Sequence, residues 1–194
     1  YSKYGFEYAK PDGKVMVRKP VEATELLPLE DRGMKPVDVD NSAFKRWFGK
    51  SKVVDEDGKP LVVYHGTDQS FDEFRGTSYF TPLPDDASKY SFVNTPGKEY
   101  TPNVMPVYLS LQKPKIIKVY ATRADIDAAR RSGFDGVIVQ GVGGSKVNHY
   151  ISFSPEQVKS AISNVGTFEG PKLIELQRTP EAEAAMQIMD SMGR

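Results

Sequence analysis

The sequence predicts an α+β protein, built from short strands and a few short helices. Three observations lead there. Short apolar and aromatic runs, bounded by glycine, proline and acidic turn clusters, outnumber the segments with a helical period. The two kinds of segment do not alternate as they would in a doubly wound parallel sheet. A chain of 194 residues with 39% hydrophobic and 11% aromatic content can bury one respectable core, so a single body with irregular ends is expected.

Residues 1–40 carry Pro11, Pro20, Pro28 and Pro36 among many charges and read as an N-terminal arm or linker. The body is assigned to residues 41–168. It opens on a short helix over residues 42–48: Asn41 or Ser42 can cap it, Phe44, Trp47 and Phe48 share one face, and Gly49 stops it. Val53-Val54 and Leu61-Val62-Val63-Tyr64 flank an acidic turn cluster over residues 55–60, which implies a hairpin. That turn lacks the third carboxylate and the distal glutamate of a calcium loop.

Residues 78–81 form a short aromatic strand, and residues 84–90 a helix with Asp85 and Asp86 at its positive end. Strands are expected at residues 105–111 and 116–119, then a helix over residues 124–132 capped by Thr122 and ended by Gly133. Residues 135–140 give another strand, and the glycine-rich loop of residues 141–145 leads to a strand opening at His149. After Ser154-Pro155-Glu156-Gln157, a short helical turn is expected to carry Val158, Ala161 and Ile162. Residues 169–194 read as a linker and a C-terminal helix over residues 180–192, capped by Thr179.

Composition narrows the chemistry. Twenty-six basic and twenty-six acidic residues cancel, so no net field recruits nucleic acid or an anionic membrane. Without cysteine there is no disulfide, no thiolate nucleophile and no cysteine-bearing zinc site, and two histidines leave little for a soft metal; no metal is expected. The absence of disulfides fits a reducing compartment. No apolar run approaches the roughly 20 residues of a membrane span and no signal peptide is visible, so a soluble protein with no membrane partner is expected. Opening at Tyr1, the chain reads as a piece of something larger.

Both scarce imidazoles flank strands. His65 ends the run Leu61-Val62-Val63-Tyr64 and is followed by Gly66-Thr67, where a glycine lets a bound molecule approach the backbone closely. His149 opens His149-Tyr150-Ile151-Ser152-Phe153. Each taken alone also suits a hydrogen-bonded structural histidine, as Tyr79 and Tyr90 alone suit core aromatics.

In order along the chain, Tyr64-His65-Gly66-Thr67, Gly76-Thr77-Ser78-Tyr79-Phe80-Thr81, Ala87-Ser88-Lys89-Tyr90 and residues 149–157 resemble the ADP-ribosyltransferases of the diphtheria-toxin-like H-Y-E class, especially those in polyvalent proteins of phages and mobile elements. The resemblance covers approximately residues 41–168. It implies a split antiparallel β-sandwich with peripheral helices, holding NAD as co-substrate between two half-sheets. It further implies that His65 holds the adenosine-side ribose, that the Gly66 backbone pairs with the nicotinamide carboxamide, and that Tyr79 and Tyr90 sandwich the nicotinamide ring. Such stacking suits a flat cation. On the same resemblance, His65, Tyr79 and His149 would be the catalytic positions, and His65, Gly66, Thr67, Tyr79, Tyr90 and His149 the NAD-binding ones. No base is evident to make Thr67 a nucleophile.

The sequence departs from the pattern where relatives place a glutamate whose carboxylate accepts from the ribose 2'-hydroxyl, because that position falls on His149. A neutral imidazole still accepts a hydrogen bond but brings no full negative charge. This favours single ADP-ribose transfer or NAD hydrolysis over chain elongation. Glu156 is a surrogate carboxylate or a cap. Ala87 stands where many relatives use a serine, with Ser88 beside it. Residues 141–145 resemble the family's target-recognition loop, or form a flexible hairpin connection.

The reading is an NAD-dependent mono-ADP-ribosyltransferase acting on a macromolecular acceptor, expected to be a protein. Its place is the bacterial host cytoplasm, reached from a phage or as an effector. The alternatives are a non-catalytic NAD-binding module and a structural module of a phage polyprotein.

Overall fold

The computed structural model describes residues 7–9, 15–17, 35–92, 102–142, 146–162, 164, 168, 170 and 172–173. The chain falls into two compact units, residues 1–33 and 34–194. In the first, β1 (Glu7–Ala9) and β2 (Val15–Val17) pair antiparallel, Glu7 opposite Val17. The expected helix over residues 180–192 and residues 143–145 of the glycine-rich loop lie outside the described residues.

The second unit is α+β, with two mostly antiparallel sheets that do not close into a barrel. Helix α1 (Ser42–Phe48) starts on Asn41, whose side-chain oxygen accepts from the Ala43 N–H at 2.7 Å. It buries Phe44 and Phe48, and Gly49 ends it at φ +55°. Phe44 meets the rings of Tyr108 and Phe168 edge-on. The acidic turn that follows closes as Asp55 Oδ1 accepts from the N–H groups of Asp57 and Lys59. Val54 and Pro60 bridge across it.

Strand β3 (Val63–Thr67) pairs antiparallel with β5 (Asn103–Leu109), which pairs with β9 (Val158–Ser160). The second sheet runs β4 (Ser78–Phe80), β8 (His149–Ser152), β7 (Gly136–Gln140), β6 (Pro114–Lys118). Only β6 and β7 are parallel in this sheet, as the helix α3 (Arg123–Arg131) between them requires. Thr122 and Asp125 form a reciprocal capping box at its start.

Between the sheets lies the main core, which includes Val63, Phe74, Phe80, Val107, Leu109, Leu111, Ile138, Tyr150 and Val158. Period-two alternation sends Ile138 and Tyr150 into it, while Val137, Val139 and Ile151 face the other way to cover Ile126 and Ala129 of α3.

Two expectations need correction. The helical turn after Ser154 is confined to Pro155–Gln157, and Val158 begins a strand. A β-branched residue that pairs with Leu109 and is fully buried gains more from the β5 edge than from a helix. Strand β5 also begins earlier than expected and runs through Pro106, the partner of Tyr64. Tyr64 gives its own N–H and C=O to Thr81, so the β3–β5 ladder loses nothing to the missing proline donor.

Candidate functional site

The two sheets meet and then part at Tyr64, which exchanges backbone hydrogen bonds of 2.7 and 3.1 Å with Thr81 at the end of β4. One residue further along β3, the His65 side chain takes over the connection: its Nδ1 lies 2.8 Å from the Tyr79 carbonyl oxygen. A carbonyl only accepts, so Nδ1 carries the proton and Nε2 of the neutral ring is an acceptor. The ring meets Phe74 edge-on with centroids 5.0 Å apart, with Phe71 and Phe80 at 6.1 and 5.5 Å. Burial pulls its pKa below the usual 6.5, against the opposing effect of the bond to Tyr79.

Gly66 is required by its neighbour. A Cβ here would stand 1.7 Å from the backbone oxygen of Ala87. Ala87 is in helix α2 (Pro84–Ser88), which continues as a 3-10 turn over Lys89–Phe92. The glycine therefore admits a helix against the strand, rather than only the ligand that the sequence suggests.

Beyond the Tyr64–Thr81 junction opens a cleft of about 480 Å³. His65, Gly66, Tyr79, Tyr90 and His149 all line it, together with Tyr120. Tyr79 points there because its strand neighbours Ser78 and Phe80 face the core; it is 53% exposed, and Tyr90 is 61% exposed. His149 stands opposite Val139 on β7 and on the same face as Ile151. Thus residues 65, 66, 79, 90 and 149, separate in the chain, share one lining.

Other expected residues fall elsewhere. Thr67 is buried and its hydroxyl accepts from the Gln69 N–H at 3.1 Å; it is not among the residues lining the cleft. Glu156 bonds the Ser154 hydroxyl and does not line the cleft either. The Ser88 hydroxyl donates to the Asp85 carbonyl at 2.8 Å.

Sequence reasoning missed three features. Asp86 of α2 places Oδ2 at 3.6 Å from His149 Nε2, while Lys89 bonds its Oδ1. Asp86 and Tyr90 are four residues apart, and that shared helix face is the sequence signal for it. Phe71 and Phe74 wall the His65 ring. After β6, Val119 adopts φ +68° and the Tyr120 N–H donates back to the Lys118 carbonyl at 2.8 Å. This is a γ-turn of the rarer, strained hand, on a β-branched residue. It is fixed by the Val119 N–H bonding the Gln140 carbonyl at 2.7 Å, and it sets Tyr120, 73% exposed, at the cleft.

Among the described residues, no group of three or more His, Asp or Glu could hold a metal ion. No helix among them is long and apolar enough to cross a membrane. No curated protein matches the chain. Residues 55–126 match a protein family described as ADP-ribosyltransferase in polyvalent proteins. The matched segment runs from the acidic turn into α3; it includes His65, Gly66, Tyr79, Asp86 and Tyr90 and stops short of His149.

Proposed function

We propose that this polyvalent-protein ADP-ribosyltransferase domain, over residues 41–168, is an NAD-dependent mono-ADP-ribosyltransferase of the H-Y-E type, with His149 in the place of the acid. The observation that carries the reading is the convergence of His65, Tyr79, Tyr90 and His149 on one cleft. In the reaction, the bond between nicotinamide nitrogen and ribose carbon breaks and its electron pair leaves with nicotinamide. A nucleophile on the acceptor forms the new bond to that carbon and gives up its proton; with water as nucleophile the outcome is NAD hydrolysis.

Each side chain has a task that its surroundings support. Nε2 of His65, left as an acceptor by the Tyr79 carbonyl, takes a ribose hydroxyl proton donor. The exposed rings of Tyr79 and Tyr90 hold the cationic nicotinamide ring between aromatic faces. The benefit to rate comes from gripping the sugar and ring in a geometry that favours separation, with the acceptor in line. The acceptor is taken to be a protein, and the setting the bacterial host cytoplasm.

Incubation with NAD labelled in the adenylate should yield a labelled acceptor or a self-labelled chain. His65→Ala and Tyr79→Ala should each lower labelling by about 100-fold or more, with the fold retained. Undiminished labelling in both folded variants would sink the assigned site.

A second reading has one observation in its favour, the imidazole at residue 149. On that reading the cleft binds NAD without turning it over. Calorimetric NAD binding with no nicotinamide release on prolonged incubation would select it.

A further inference from the structure

We propose that Asp86 is a positioning residue of this cleft, holding the His149 ring with Nε2 toward its carboxylate and Nδ1 toward the reacting sugar. The pair then serves where relatives use a single acid. This inference rests on the ADP-ribosyltransferase reading for its chemistry, although the placement of the ring stands apart from it.

Three observations carry the proposal. The Oδ2 to Nε2 separation of 3.6 Å is within ion-pair range and beyond a hydrogen bond. A closure of about 0.5 Å converts it to a hydrogen bond, the kind of tightening that catalytic contacts undergo when substrate binds. Second, Asp86 is held in place from both sides. Lys89 bonds its other oxygen, and the next residue, Ala87, is wedged against Gly66. Third, among the described residues that line the cleft, none carries a carboxylate. Glu156, the acid nearest in sequence, is engaged with Ser154.

The consequence follows from the donor and acceptor inventory. A carboxylate only accepts, so a neutral His149 facing it carries its proton on Nε2 and presents the Nδ1 lone pair. That lone pair can accept from the ribose 2'-hydroxyl, and the carboxylate behind the ring makes it a better acceptor. This is the division of labour between carboxylate and imidazole in a hydrolase triad, without the nucleophile. Lys89 offsets part of the negative charge, so orientation of the ring leads and charge follows. Among the described residues, the other titratable groups facing this space are Tyr64, His65, Tyr79, Tyr90 and Tyr120.

The test uses the full chain and three variants: Asp86→Asn, which keeps the side-chain shape, Asp86→Ala, and Asp86→Ala combined with His149→Glu. Two histidines make the imidazole 15N spectrum simple to assign. Without NAD, and at a pH where the ring is neutral, His149 should carry its proton on Nε2 in the parent and shift toward the other tautomer in Asp86→Ala. Nicotinamide release should fall about tenfold or more in both single variants, with NAD affinity within about twofold. His149→Glu should restore the rate of Asp86→Ala, since an acid at residue 149 has no need of a partner. Unchanged His149 resonances in Asp86→Ala would overturn the proposal, as would an unchanged rate in both single variants. Should the parent release no nicotinamide at all, the enzymatic reading fails while the tautomer measurement still decides the placement of the ring.

Discussion

Burial and hydrogen bonding pull the His65 ring in opposite directions, and burial wins. Its folded pKa sits below 6.5, so between those values the unfolded chain takes up a proton that the folded ring declines. The stability contributed by this residue is therefore fully present above about pH 6.5 and is lost as the pH falls toward the folded value. Denaturant unfolding from pH 7.5 down to 5.0 should show stability falling with acidification, and His65→Gln should flatten that slope; equal slopes in the two proteins would contradict it. The acid pairings of Asp40 with Lys45 and of Asp125 with Thr122 lower carboxylate pKa values that start at 3.8, so they act at more acid pH than the His65 window. That His65 was a residue to follow was legible from its scarcity and its place before a glycine, and it lines the cleft. Its tautomer was not, because the carbonyl that sets it belongs to residue 79, across the split between two sheets.

At the scale of elements, the decisive contact is α2 on β3. Gly66 and Ala87 touch through backbone, so the helix can approach only where the strand has no side chain. Gly66→Ala should cost roughly 2–4 kcal/mol, because the clash is with a carbonyl and a helix must move to relieve it. Chemical denaturation gives the loss, and NAD calorimetry should show a larger effect than stability alone explains, since α2 carries Asp86 and leads to Tyr90. A stability unchanged within about 0.5 kcal/mol would show that the helix yields freely. Most elements could be read from caps and alternation: Asn41 and Thr122 start helices, Gly49 ends one, and Tyr79 faces away from Ser78 and Phe80. Val158 could not, since a short apolar run after a Ser-Pro-Glu-Gln cap suits a helix until β5 offers an edge.

Across the whole molecule, chain beyond residue 168 completes the body. The fully buried Lys159 donates from Nζ to the carbonyls of Gly170 and Lys172, at 3.0 and 2.5 Å. Leu173 joins the core, its N–H donating to the Asp72 carbonyl and its carbonyl accepting from the Ser160 N–H. Lys159→Ala should lower unfolding free energy by about 2–3 kcal/mol, because it removes a buried side chain whose Nζ ties two carbonyls of the following segment to β9; urea titration measures this, and a change below about 0.5 kcal/mol would deny the lysine that role. Nothing in local periodicity announced that tie, just as nothing local gathered residues 65, 79, 90 and 149; only the ordered set of motifs did. Tyr120 adds a last consequence. Its backbone is locked by an unfavourable Val119 conformation that the rest of the fold imposes. An incoming partner meets main chain already set beneath that ring, and surrenders little backbone disorder in reaching it.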